Sequence, residues 1–281
     1  MIVDEIDGHE FSQTWELQPI AGLIGAEVRG FDLREALTPE QADDIRWLLG
    51  TYSVLVFSGQ KIGADEHVAF AKGIGDIKMP NAYLDKSARV EGHPEIATFS
   101  TENKYAYQTD RWHADVTMLA EPNRYSILHM QQVPGSGGDT QWSSDYAAYD
   151  RLSEPMKRFV EPLTVQHQHP FVEERRHVHP LVLAHPLTGR RALFLNNTHA
   201  KRIVELSEGE SAALLKYFSE HGTQPEMICR WRWTEGDLAI WENHYVQHYA
   251  IYDYGTQPRK IHRIEVDAEA PRGAETEREV A

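Results

Sequence analysis

The sequence predicts a mainly β protein with peripheral helices, arranged as a β-sandwich or jelly roll. Three observations carry that expectation. Short runs rich in β-branched and aromatic residues recur along the chain. Turn signals such as "GSGGD", "LTGR" and "TEGD" separate them. Helical patterning is confined to three segments.

Strands are expected at "SVLVF" (53–57), "YSILHMQQV" (125–133), "DTQWS" (139–143), "LVLAH" (181–185) and "RALFLN" (191–196). Three more follow at "MICRWRW" (227–233), "DLAIWEN" (237–243) and "RKIHRIEV" (259–266). Thr38, Pro39 and Gln41 form an N-cap, first-turn proline and capping-box signature ahead of Ile45, Leu48 and Leu49. A second helix is expected over 64–73. A third opens at the Ser207–Glu210 capping box and stops at Gly222. Residues 1–266 read as one domain. The charged end, "DAEAPRGAETEREVA" (267–281), reads as a mobile tail.

Composition narrows the class. Of 281 residues, 41% are hydrophobic, enough to bury a sizeable core and to exclude disorder over most of the length. The 28 basic and 43 acidic residues give a net charge of −15, which repels phosphate backbones, so no nucleic acid partner is expected. A pocket with local arginines can still bind a small anion. The single cysteine, Cys229, excludes an intrachain disulfide and is expected to pack as a small hydrophobe. The N-terminus has no signal-peptide pattern, and no apolar run approaches the ~18 residues of a membrane span. No membrane partner, a cytoplasmic location and a homo-oligomer are therefore the expectations.

The chemistry begins in "RWHADVTM" (111–118). On an extended strand end, residues two apart point the same way, so His113 and Asp115 can converge on one ion. Two histidines and one carboxylate on one face are the recurrent donor set for non-haem Fe(II) with open positions. "WENHYVQHYAIYDY" (241–254) supplies two candidates for the second histidine, His244 and His248. Arg259 and Arg263, four apart, share a strand face. Two arginines on an inner face are costly unless an anion meets them, and their planar forks suit a carboxylate or sulfonate.

Four blocks in order, "WHADVTM", "PGSGGDTQWSS", "HPLTGRRALFLNNTHAKRIVELSE" and "RWRWTEGDLAIWENHYVQHYAIYDY" with "RKIHR", resemble the taurine/2,4-dichlorophenoxyacetate dioxygenase (TauD/TfdA) family of Fe(II)/2-oxoglutarate enzymes. "AGLIGAEVRGFDL" (21–33) resembles that family's N-terminal strands. The resemblance implies a double-stranded β-helix, a jelly-roll variant. It implies His113, Asp115 and His248 as iron ligands, which leaves His244 on the rim. Thr140 and Arg259 would hold the distal carboxylate of the co-substrate 2-oxoglutarate. Arg263 would lie beside that co-substrate and anchor the substrate's own anionic group.

The implied activity is dioxygenation with Fe(II), 2-oxoglutarate and O2. The substrate would be a small organic anion hydroxylated at a C–H, next to a heteroatom where the product cleaves: a sulfonate, alkyl sulfate or aryloxyalkanoate. Taurine dioxygenases carry a substrate-contacting histidine in the stretch matching "KMPNAY" (78–83), where this chain has none. "LNNT" and Asp110–Arg111 are further departures, which argue against taurine. Tyr83, Tyr105, Tyr107, His199 and Arg263 are the candidate substrate-pocket residues. A biosynthetic oxygenase acting on an amino-acid-like or carrier-bound intermediate is the alternative, and a cupin-like binding protein without turnover is a third. The cluster "HQHPFVEERRHVH" (167–179) reads as a loop forming a lid rather than as a second metal site.

Overall fold

Alternation along four short strands sets the layering. In β4 (Val54–Phe57), Val54 and Val56 face one side, and Leu55 and Phe57 the other. β8 (Asn123–Gln132), β16 (Leu238–Glu242) and β18 (Lys260–Ala268) repeat the pattern. Leu128, Met130, Ala239, Trp241 and Ile261 join the first side; Ile127, Leu238, Ile240, Ile264 and Val266 join the second. Both faces are buried, which is why these stretches read as almost continuous apolar runs.

The structure is a computed structural model and describes residues 1–80, 89–102 and 110–274. The four strands lie at the centre of a ten-stranded sheet. Its order is β1 (Ile2–Ile6), β2 (His9–Pro19), β3 (Ala26–Arg29), β4, β16, β8, β18, β7 (His93–Ser100) and β6 (Arg89–Val90). β5 (Ile77–Lys78) also pairs with β18. Among the described residues, β3 and β4 are the one parallel pair in this sheet.

The second face packs on α1 (Pro39–Tyr52) and α2 (Ala64–Ile74) through Ile45, Leu48, Leu49, Phe70 and Ile74. The first face packs on a smaller antiparallel sheet of β15 (Ile228–Trp231), β9 (Thr140–Ser144) and β17 (Val246–Ala250), through Trp142, Cys229 and Val246. Cys229 is the buried hydrophobe expected of it, and burial pushes its thiol up to about 12. Functional side chains emerge between these two sheets.

Residues between β9 and β15 build a separate layer. It holds α3 (Asp145–Asp150), α4 (Glu154–Val160) and α5 (Glu208–Gly222). With them run a sheet of β11 (Arg176–Pro180), β10 (Thr164–Gln168) and β14 (Ala200–Ile203), and a hairpin of β12 (Val182–Ala184) and β13 (Arg191–Leu193). Val165, Leu181, Ile203 and Phe218 are among its buried core.

Helix starts obey local chemistry. Thr38 Oγ1 accepts from Gln41 N–H (3.2 Å) and Gln41 Oε1 from Thr38 N–H (3.0 Å), the reciprocal capping box that opens α1. Glu210 accepts from Ser207 N–H (3.0 Å) at the start of α5. Gly222 is the last residue of that helix, and Thr223 caps it. α3 and α4 were not expected, because six and seven residues are too short to show a helical period.

The His-rich segment is a loop only over 169–175; its ends are strands, β10 and β11, which pair antiparallel with His167 opposite His177 and Val165 opposite His179. His167 and His179 are buried, whereas His177 is exposed. Polar residues on both sides hid the period-two pattern. The expected tail is packed as far as Ala274. Ala184 N–H donates to Arg272 O (3.1 Å), Glu269 pairs with Arg124 at 3.2 Å, and Ala274 is buried. Main-chain bonds and an ion pair order this stretch where its few apolar residues would not. Among the described residues, no helix is long and apolar enough to cross a membrane.

Burial lowers several histidines from the ordinary 6.5: His179 to about 4, His244 to about 3 and His262 to about 4. Below pH 6.5 the unfolded chain therefore binds protons that the folded chain refuses, and stability falls with pH. The melting temperature is expected to drop steadily between about pH 6.5 and about pH 4. A flat profile across that interval contradicts the burial of these imidazoles as neutral groups.

Candidate active site

Two backbone hydrogen bonds join the halves of the site. His113 N–H donates to His248 O (3.1 Å) and His248 N–H donates to His113 O (2.7 Å). This isolated antiparallel bridge sets the two side chains on one face, with imidazole centroids 4.0 Å apart. β17 delivers His248. Its partner strand β9 delivers Thr140, opposite Ala250.

Asp115 follows two residues after His113, at the head of a turn. Its Oδ1 lies 3.8 Å from His113 Nε2 and 3.8 Å from His248 Nε2. That is too long for a direct hydrogen bond. All three ligand atoms lie within 4.8 Å of one another. Among the described residues no other trio of histidine, cysteine or acidic side chains does so. His113 Nδ1 is 2.7 Å from Arg111 O, an acceptor, so the proton resides on Nδ1 and Nε2 keeps its lone pair for a metal. Burial, with His113 beside it, lowers His248 to about 3, so its ring is neutral at pH 7. Burial opposes charge on Asp115, but Arg263 and the two imidazoles outweigh it and hold the carboxyl well below the usual range. Two imidazoles that can each turn a ring nitrogen to one point, with one ionised carboxylate, fit a non-haem Fe(II).

A pocket opens beside the trio, lined by Phe99, Thr140, Trp241, Tyr254, Arg259 and Arg263 among others. The two arginines differ. Arg263, on β18, is committed: Nη1 is 3.1 Å from Asp115 Oδ1 and Nη2 is 2.9 Å from Glu265 Oε1. Arg259 makes no ion pair of 4.0 Å or less with a described carboxylate. Its Nε donates to Gly138 O (3.1 Å), and its guanidinium carbon lies 5.7 Å from the centre of the Tyr254 ring. Desolvation lowers its pKa, and the acidic groups near it offset that only in part. Thr140 Oγ1 accepts from Trp233 Nε1 (2.9 Å), leaving its own proton free to donate into the pocket.

Gly138 explains part of the "GSGGD" turn. Its φ is +76°, and a Cβ there would meet Pro134 Cγ at 3.0 Å and Arg259 Cδ at 3.2 Å. Only glycine fits the turn and lets the Arg259 stem cross it.

His199 precedes β14 and is buried, close enough to His113 and Asp115 for their charges to interact. Its Nδ1 lies 3.1 Å from Asn196 Nδ2 and 3.5 Å from the Thr117 hydroxyl. Burial lowers it to about 4. Tyr83, Tyr105 and Tyr107 lie outside the described residues. His244 is not on the rim. It is 1% exposed and packs its ring against Phe194 and Tyr245, because the tight turn after β16 directs it into the core. Sequence reading passed over Tyr254, Glu265 and Asn243. Asn243 and Glu265 each had one signal, a polar residue inside an apolar strand or at its end.

The family model for "Taurine catabolism dioxygenase TauD, TfdA family" matches residues 16–264. The chain belongs to the TauD/TfdA family. An alpha-ketoglutarate-dependent sulfate ester dioxygenase of Pseudomonas putida is 33% identical, over 92% of this chain and 92% of that protein. An alpha-ketoglutarate-dependent 2,4-dichlorophenoxyacetate dioxygenase of Cupriavidus pinatubonensis is 32% identical, over 82% of this chain and 90% of its own. The crystal structure of a taurine dioxygenase from Burkholderia xenovorans superposes with a TM-score of 0.83 at 34% identity, covering 92% of this chain and 91% of the other.

Within this TauD/TfdA chain, the trio predicts one divalent-ion site. Titration of the purified protein with Mn(II), read from the free-ion EPR signal, is expected to give one ion per chain. His248→Ala should weaken that binding by more than about tenfold. Unchanged binding in that variant refutes its role as a ligand.

Proposed function

We propose that the protein is an Fe(II)- and 2-oxoglutarate-dependent dioxygenase acting on a small organic anion. The substrate class is a sulfonate, alkyl sulfate or aryloxyalkanoate, hydroxylated next to its heteroatom so that the product cleaves. The convergence of His113, Asp115 and His248 beside a half-buried Arg259 that pairs with no carboxylate among the described residues carries this reading. The similar sulfate ester and 2,4-dichlorophenoxyacetate dioxygenases support the substrate class. A double-stranded β-helix is the fold we infer from the large and small antiparallel sheets that face each other across the site.

His113, Asp115 and His248 would hold the iron. Bound there with 2-oxoglutarate, Fe(II) supplies the activation of O2 needed to hydroxylate an unactivated C–H. The protein's own share is position and charge. Arg259 and the Thr140 hydroxyl would take the distal carboxylate of 2-oxoglutarate, pairing a waiting cation with its counter-charge. Phe99, Trp241 and Ile261 line the pocket and would exclude water around the chain of that dicarboxylate. Arg263 is the group for the substrate's anion. Glu265 keeps its guanidinium oriented, so the anion meets a fixed fork rather than a free side chain.

The overall reading is tested by succinate formation with Fe(II), 2-oxoglutarate, O2 and a panel of sulfate esters, sulfonates and aryloxyalkanoates. Succinate coupled to one of these classes is expected. The absence of coupling across the whole panel refutes the substrate class.

Removing a charge-assisted contact costs about 1.5–3 kcal/mol per hydrogen bond. Arg259→Ala is therefore expected to raise the KM for 2-oxoglutarate by about tenfold or more while leaving the KM for the anion near its original value. Arg263→Ala should show the opposite division. Equal effects on both constants would contradict the assignment of the two arginines.

A further inference from the structure

The turn that presents Asp115 is not held by regular secondary structure. Its backbone acceptors are met one by one from elsewhere. Thr198 Oγ1 donates to Trp112 O (3.0 Å), His248 N–H to His113 O (2.7 Å) and Asn196 Nδ2 to Ala114 O (2.8 Å). Asn243 Nδ2 donates to Asp115 O (2.9 Å), and His179 Nε2 to Thr117 O (2.8 Å). In the middle lies Val116 with φ +47°. A β-branched residue in the left-handed region is an outlier that persists only when its surroundings over-determine it.

Asn243 does more than the others. Its Oδ1 accepts from Asp115 N–H (2.7 Å) while its Nδ2 donates to Asp115 O, so one amide engages both backbone groups of the same residue. Nδ2 also reaches Asn123 O (3.1 Å), and Asn243 N–H donates to Arg124 O (2.6 Å). The amide is thereby fixed to β8 and to the turn that leads into β17 and His248. Asn196 secures the neighbouring stretch by a second donation, to Thr117 Oγ1 (2.7 Å).

We propose that Asn243 is a positioning residue for the metal-binding carboxylate, clamping the strained 113–117 turn, with Asn196 as its partner, so that Asp115 faces His113 and His248 before any ion arrives. The clamp links two segments 128 residues apart in sequence. It touches neither substrate nor co-substrate and acts only through the backbone of Asp115. The proposal rests on the metal-site reading above and adds to it the device that preforms the site.

The test is Mn(II) affinity in the purified protein, read by EPR, together with the d–d spectrum of the Co(II)-loaded form and the melting temperature without metal. Asn243→Ala is expected to weaken Mn(II) binding by about 10–100-fold, as for groups that orient a ligand. It should also shift the Co(II) bands. Adding Val116→Gly should recover part of the lost affinity, because glycine adopts positive φ without penalty. Asn243→Asp keeps the acceptor for Asp115 N–H but loses both donations. It should show the same direction of change, and it serves if Asn243→Ala does not fold. A folded Asn243 variant with a lower melting temperature but Mn(II) affinity within about twofold of the wild type overturns the proposal. Wild-type protein that binds no Mn(II) refutes the metal site itself, a different result from a site that binds equally with and without the clamp.

Discussion

Everything at this site depends on one pair of backbone hydrogen bonds, those exchanged between His113 and His248. They bring together segments from opposite parts of the chain and fix the two imidazoles on one face. Asp115 follows His113 by two residues, and Arg259 and Arg263 follow His248 within one strand of it. Once the bridge forms, two imidazoles and two guanidinium groups line a single pocket, with the Asp115 carboxylate beside the imidazoles. A backbone contact is the right device for this. It is insensitive to side-chain rotamers, and burial makes an unpaired N–H or C=O at that point costly.

Charge is distributed as the chemistry requires. The whole chain carries −15, yet the pocket is walled by cations. Arg263 shares its charge with Asp115 and Glu265, whereas Arg259 is half-buried beside Tyr254 and, among the described residues, its guanidinium donates only to a carbonyl. The first is a compensated group whose geometry is set. The second is a standing deficit, which a dicarboxylate would relieve. Glu265 sits on the same inward face as Arg263, two residues further along β18, so one strand supplies both the cation and its orienting acid.

Period two was readable where strands are apolar. The central strands appeared within two or three residues of their observed ends, because Val, Ile, Leu and Trp alternate between two buried faces. The same period was unreadable in "TVQHQ" and "RHVHP", where buried His167 and His179 stand among polar neighbours and look like loop residues. Their burial follows from packing against Phe194 and Thr117, which are distant in sequence. The contacts that residues 267–274 make were hidden for a related reason: they go to Ala184 and Arg124, distant in sequence.

The sequence alone pointed to the family, most helix caps, the central strands and six of the residues that meet at the site, His113, Asp115, Thr140, His248, Arg259 and Arg263. Those depend on local patterning and on motifs whose residue types carry the chemistry in themselves. Only the tertiary structure decided that His244 turns into the core while His248 turns into the pocket, that among the described residues Arg263 has carboxylate partners and Arg259 has none, and that Asn243 grips Asp115. Each of these is a statement about which distant groups become neighbours, and spacing along a chain does not specify that until the sheets have closed around it.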